Sequence, residues 1–246
     1  MTDWARELAE NPNTYVPLRP GHERIVADRY VLWLGRGDHP GWTVAQRFRF
    51  AADDIDDVRA EIHGHVRAKG RTACSWEVGS SATPPDLVEL LLERGLVMDD
   101  EPVRVGMALT TEPPAVDGVE VRQAVTEDDR RAAAELGSVV FGTGFGELPS
   151  PDPHNAVYLA SIAGTPVGRA SAAFGEHGMT MSGAGVRAEA RGRGVYRALV
   201  RARWDDAVAR GLRLAVTDAG SMSRPILARL GFREVCTIHC LVDRLP

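Results

Sequence analysis

Val186-Arg187-Ala188-Glu189-Ala190-Arg191-Gly192-Arg193-Gly194-Val195-Tyr196 lies between a short apolar run and a segment of helical periodicity. Glycines at 192 and 194 let the main chain turn its N–H groups inward with no Cβ in the way. The helix that follows starts with free N–H donors and a partial positive charge. Arg191, Arg193 and Arg197 add full charges beside it. Such a turn suits a pyrophosphate. The dinucleotide fingerprint Gly-x-Gly-x-x-Gly is not matched, because the third glycine is absent.

The flanking segments extend this pattern. Residues 156–163, 167–174 and 179–186 are apolar runs separated by Gly164-Thr165-Pro166 and Gly175-Glu176-His177-Gly178, which predicts an antiparallel meander. Hairpin-linked strands before the glycine turn argue against a parallel dinucleotide fold. After the turn, Val200, Trp204 and Val208 recur at i, i+4 and i+8 with Val195 and Leu199 beside them, so a helix is expected over 194–210, ended by Gly211. A strand at 212–216 and a short helix started by Ser223-Arg224-Pro225 follow. Gly231 ends that helix, and 232–242 supplies one or two last strands. Upstream, 119–125 reads as a strand. Thr126 with three acids behind it reads as the N-cap of a helix reaching about residue 140.

Residues 111–118, rich in proline and turn formers, read as a linker dividing the chain. The N-terminal half echoes the end of the C-terminal half: a helix at 53–69 ended by Gly70, a strand at 72–78, a helix at 85–94 ended by Gly95, and a strand at 103–109. Lys69-Gly70-Arg71 resembles Arg210-Gly211-Leu212, and Glu93-Arg94-Gly95-Leu96 resembles Arg229-Leu230-Gly231-Phe232. A diverged internal duplication is the expectation; the alternative is chance recurrence of helix–strand order.

The chain has 246 residues and a net charge of −5, so no field draws nucleic acid or an anionic membrane. Residues 1–10 hold no apolar signal segment, no run approaches a spanning helix, and the three cysteines are an odd, sparse set. A cytoplasmic protein without disulfides is expected.

The stretch from Arg191 to Tyr196 resembles the acyl-CoA loop of the GNAT superfamily of N-acyltransferases, Arg/Gln-x-x-Gly-x-Gly/Ala after the fourth strand. Tyr196 departs from the small residue at the last position. Leu230-Gly231-Phe232 matches the family's ending after its last helix, and the resemblance covers about 119–242. Taken with the internal repeat, it implies an α/β (α+β) fold of two GNAT-like lobes, each a mixed, mostly antiparallel sheet flanked by helices: a degenerate lobe at 1–112 and an acetyltransferase lobe at 118–246. It also implies acetyl-CoA as co-substrate, no metal, and a small-molecule or peptide amine as acceptor, in a monomer or a homodimer. The fourth and fifth strands are expected to splay, with pantetheine between them against the backbone of Ala184, Gly185 and Val186. The pyrophosphate is expected at Arg191, Gly192, Arg193, Gly194, Val195, Tyr196 and Arg197. A backbone N–H near Ala184 is placed to polarise the thioester carbonyl. Gly183 and Gly185 fit either close approach of a ligand or a bulge and a packing gap. The N-terminal counterpart of the loop, Phe48 to Asp57, has no glycine and crowds a helix start with carboxylates, which repels a pyrophosphate.

Many family members use a Glu on the fifth strand and a Tyr in the last helix. The corresponding positions here are Ala215 and Leu227, which move no proton. Tyr196, Asp218 and Ser221 are the weak catalytic candidates, each with a plainer structural reading: helix-start packing for Tyr196, a capped loop for Asp218 and Ser221. Ser223 reads as an N-cap, and His154, Glu147, Glu176 and His177 as exposed side chains. Cys236 and Cys240 share a strand face but lack zinc spacing, and His239 points to the other face. His63 and His65 diverge on a helix. Trp33, Trp42 and Trp76 fit core packing, with an aromatic cleft as the alternative. Two further readings stay open: a CoA-binding or sensing protein without transferase activity, and a mycothiol-synthase-like enzyme acting on an amino-sugar derivative.

Overall fold

The computed structural model describes residues 2–37, 39–142 and 152–245. The chain first forms helices α1 (Trp4–Glu10) and α2 (Pro12–Tyr15) and strands β1 (Glu23–Val26), β2 (Val31–Leu34) and β3 (Thr43–Gln46). Helix α3 (Ile55–Ala68), strand β4 (Ala73–Gly79), helix α4 (Leu87–Glu93) and strand β5 (Val97–Leu109) follow. Then come β6 (Glu120–Gln123), α5 (Glu127–Phe141), β7 (Asn155–Ile162), β8 (Thr165–Gly175), β9 (Gly178–Val186), α6 (Val195–Ala209), β10 (Ala215–Ala219), α7 (Arg224–Arg229) and β11 (Arg233–Arg244). Among the described residues no helix is long and apolar enough to cross a membrane.

Two compact units result. The first holds Met1–Gly106, Asp218–Arg224 and Glu234–Pro246; the second holds Met107–Thr217 and Pro225–Arg233. The last strand of the chain, β11, stands in the sheet of the first unit, between β4 and β5. The reason is packing and charge. Leu241 of β11 joins the core built by α3, β4 and α4. Asp243, fully buried, is gripped by Arg59 at 2.7 Å and by His63 at 2.7 Å, both from α3.

In the first unit the strand order is β1-β2-β3-β4-β11-β5. Ile55, Val58, Ile62 and Val66 of α3 recur at helical spacing and are all buried. Trp76 of β4 is buried and stacks on Phe48, ring centroids 4.8 Å apart, which places it in the core. Trp33 and Trp42 are half-buried and cluster with His22, centroids 5.0 and 6.2 Å from it. Burial and the nearby Arg19, Arg36 and Arg71 push the His22 imidazole down to about 4. The three strands before α3 are only four residues each, too short for a period of two to announce itself.

The second unit is a meander, β6-β7-β8-β9, with β10 added in parallel to β9. Thr126 caps α5 by accepting the Asp129 N–H at 3.1 Å, and Ala133 and Leu136 pack on Leu159. The buried side of α6 carries Val195, Leu199, Val200 and Trp204, as the period requires, with Ala207 rather than Val208 closing it. The strand expected at 212–216 lies at Ala215–Ala219 instead. The Leu212 N–H still bonds back to Ala207 O at 2.9 Å, so Leu212 belongs to the end of the helix. The same closure recurs at Arg71 to Val66, Leu96 to Leu91 and Phe232 to Leu227. The four Gly-terminated segments singled out in the sequence are thus four copies of one helix-ending motif.

Candidate functional site

In the second unit, β9 and β10 run parallel for a short stretch and then part. The two strands pair at only two positions, Ala215 with Met179 and Val216 with Thr180. One residue further on, the Thr217 hydroxyl donates to Met181 O at 3.0 Å, a side chain reaching where a backbone rung would otherwise continue. On its other edge β9 breaks register with β8: Arg169 faces Gly185 but Ser171 faces Ser182. Gly183 and Ala184 therefore stand opposite Ala170 alone, a bulge, with Gly183 at φ +53°. Gly185 is small for a different reason. A Cβ there would lie 2.2 Å from Val140 and 2.8 Å from Phe141 at the end of α5. So the first glycine makes the bulge and the second lets a helix approach.

β9 leads into a short 3-10 turn at Ala188–Ala190 and then into the glycine turn. Arg191 is extended, Gly192 has φ +76°, and Gly194 has φ +81° as the N-cap of α6. Both glycines occupy the left-handed region that a side chain resists. No side chain caps this helix, and its first backbone bond is Ala198 N–H to Gly194 O at 2.9 Å. The N–H groups of Val195, Tyr196 and Arg197 precede that bond and stand at the donor end of α6. Ala190 and Val195 are buried and pin the turn on both sides, while Arg191, Gly192, Arg193 and Arg197 are exposed. The turn is therefore positive, donor-rich and open to solvent. Main-chain donors at the start of α6 thus lie beside three exposed arginines.

The candidate acid–base groups fare differently. Ala215 and Leu227 are fully buried. Tyr196 is half-buried at the start of α6, where its electrostatic neighbour is Arg203. Asp218 accepts from Arg104 Nη1 at 3.0 Å, so its carboxylate is held in an ion pair. Ser221 donates its N–H to Glu101 at 2.8 Å and is exposed. The Ser223 hydroxyl donates to Gly220 O rather than accepting as an N-cap. His154 and Glu176 are exposed, His177 is half-buried in the two-residue β8–β9 turn, and Glu147 lies outside the described residues. The three cysteines are buried and unbridged. Burial pushes Cys236 up to about 12 and raises Cys240 as well. His63 is committed to Asp243, and His65 points elsewhere on α3, as their spacing requires.

Two buried charged side chains, Glu77 and Arg203, stand outside the residues that the sequence patterns mark. Glu77 on β4 is pushed up to about 7, chiefly by burial and then by Asp218; Arg104, 3.3 Å away, opposes the shift. The signal was present: a carboxylate inside the apolar run Ala73-Cys74-Ser75-Trp76-Glu77-Val78. Arg203 sits on the buried side of α6 between Val200 and Trp204, 1% exposed, donating to Leu199 O and Ser171 O. Its burial pushes the guanidinium down to about 10.

No family model matches the chain, and no curated protein matches it. Solved structures do. A GCN5-related N-acetyltransferase from Kribbella flavida superposes with a TM-score of 0.74 at 19% identity, over 99% of this chain and 96% of that one. A functionally unknown conserved protein from Staphylococcus epidermidis ATCC 12228 gives 0.70 at 13% identity, over 92% and 95%. A tandem GNAT protein from the clavulanic acid biosynthesis pathway gives 0.62 at 15%, over 98% and 93%. Identities this low speak for architecture, and the fold of this chain is that of the GCN5-related N-acetyltransferases.

Proposed function

We propose that the second unit binds acetyl-CoA and passes its acetyl group to an amine on a small molecule or peptide. One observation carries this reading: an uncapped helix N-terminus, entered through two left-handed glycines, follows a strand that has just parted from its parallel neighbour. The donor end meets the pyrophosphate, with Gly192, Gly194, Val195, Tyr196 and Arg197 supplying backbone contact and Arg191, Arg193 and Arg197 supplying charge. The parting of β9 from β10 takes the pantetheine arm against the backbone of Ala184, Gly185 and Val186.

In the ternary complex the neutral amine nitrogen attacks the thioester carbon. The tetrahedral oxyanion is stabilised by a main-chain N–H near Ala184, the C–S bond then breaks, and the CoA thiolate leaves. The amine proton passes to the thiolate through water, because the usual positions hold Ala215 and Leu227. Positioning supplies most of the acceleration. The test is titration with CoA, then thiol release from acetyl-CoA with a panel of amines. Tight CoA binding with amine-stimulated release supports the proposal; no CoA binding sinks it.

The buried apolar Ala215 and Leu227 favour a second reading, a CoA-binding protein that transfers nothing. Binding without release across the panel would select it. The recurrence of helix–strand–helix–strand order, α3-β4-α4-β5 and α6-β10-α7-β11, favours descent of 1–112 and 118–246 from a duplicated lobe. It also keeps open a mycothiol-synthase-like preference for an amino sugar, which selective release with such acceptors would reveal.

A further inference from the structure

The first unit contains an opening like that between β9 and β10. Its strands β3 and β4 run parallel and pair at only two positions, Val44 with Ser75 and Ala45 with Trp76. Beyond β3 and β4 the two chains meet again where Thr83 N–H donates to Phe48 O at 3.2 Å and Arg49 Nη2 donates to Ser81 Oγ at 2.9 Å. Two residues on one side, 46 and 47, and six on the other, 77–82, enclose a gap between these contacts. Gln46 stands on one side of it, and Gly79 to Ser81 on the other.

We infer that residues 10–13, joining α1 to α2, are a built-in plug that fills this opening and bars an extended ligand from the first unit. The segment touches both sides. Glu10 Oε1 accepts the Ser81 N–H at 2.6 Å, and Gln46 Oε1 accepts the Asn13 N–H at 3.2 Å. Glu10, Asn11 and Gln46 are 1%, 2% and 0% exposed, an unusual depth for such side chains. Arg6, one turn earlier on α1, donates to Glu10 at 3.2 Å and compensates its charge. A glycine makes the room. A Cβ on Gly79 would lie 2.2 Å from the Glu10 carboxyl group. The polar fit is incomplete, since Gln46 Nε2 and Thr14 Oγ1 are buried with no hydrogen-bond partner among the described residues. The segment thus closes the gap as an autoinhibitory contact does, by occupying it.

The plug itself does not depend on the proposed acetyl-CoA chemistry, although the stoichiometry it implies, one CoA per chain, does. Amide hydrogen exchange of the full chain tests it without CoA. Ser81 should be protected, and Glu10→Ala should speed its exchange roughly tenfold or more, because the N–H loses a charged buried acceptor. Gly79→Ala should act alike by expelling the Glu10 side chain. Ser81 exchange unchanged in both variants would overturn the inference. So would two CoA molecules per chain in the unmodified protein. A chain that binds no CoA at all would remove the proposed function and leave the exchange result to decide this one.

Discussion

Gly192→Ala isolates the contribution of the turn from that of the fold. Gly192 has φ +76°, and a Cβ placed on it meets nothing within 4 Å. The substitution therefore adds no clash and only left-handed strain, about 1–2 kcal/mol. A turn that relaxes to relieve that strain moves the Val195, Tyr196 and Arg197 N–H groups away from the polyanion. The ligand must then restore the strained conformation, so CoA affinity should fall by about 5- to 30-fold. Gly211→Ala is the matched control. It has φ +81°, an equally open Cβ, and a place at the far end of the same helix. Both variants should lose similar thermal stability, while only Gly192→Ala should lose affinity in isothermal titration. If Gly211→Ala weakens CoA as much as Gly192→Ala does, the turn is not the binding element and the argument from its geometry fails.

Other consequences can be checked alongside. Arg191→Ala, Arg193→Ala and Arg197→Ala should each weaken CoA by up to about fivefold, and the loss should shrink as salt rises, because all three side chains are exposed. Thr217→Val removes the hydroxyl that reaches Met181 O where β9 and β10 part, and should change the KM for acyl-CoA more than the melting temperature. Asp243→Ala leaves Arg59 and buried His63 without their carboxylate and should cost about 3–5 kcal/mol in denaturant unfolding. Glu77 binds its proton more tightly folded than unfolded, its value rising from 4.5 to about 7. Its contribution to stability is present below 4.5 and is lost as pH climbs through about 7, a slope that Glu77→Gln should flatten.

The elements of the second unit were legible because each advertises itself locally. Thr126 with its acids announces α5, and Gly164 and Gly178 announce the hairpins. The glycine turn was legible for the same reason, since Gly192 and Gly194 sit against a clear helical period. Long-range choices were not. Nothing near residues 233–244 says that they pair with β4; the partners of Asp243 lie 180 and 184 residues away in α3. The four-residue strands before α3 carry too few side chains to show alternation. Gly183 and Gly185 looked equivalent, yet one bends a strand and the other admits Val140, a difference that only the packed neighbours reveal.

A comparison of the two strand-to-helix turns explains why one unit is a candidate for CoA and the other is not, although both hold parallel strands that part after two paired residues. The chain entering α6 brings two glycines, three arginines and no acid in the first turn. The chain entering α3 brings Phe48 and Phe50, both buried in the core, and then Asp53, Asp54, Asp56 and Asp57 around the helix start. Helix dipoles are alike in sign, so each N-terminus offers the same partial positive charge. Four carboxylates cancel that offer and repel a diphosphate, while arginines strengthen it. The aromatic rings also fix the first turn into the core, where it cannot wrap a ligand. Strand geometry is thus shared, and the chemistry is decided by about ten residues at one end of each helix. Replacing Asp53 and Asp54 alone should leave the first unit unable to bind CoA, since the Phe48 and Phe50 anchors and the plug at residues 10–13 remain; a second CoA site appearing in that variant would refute this account.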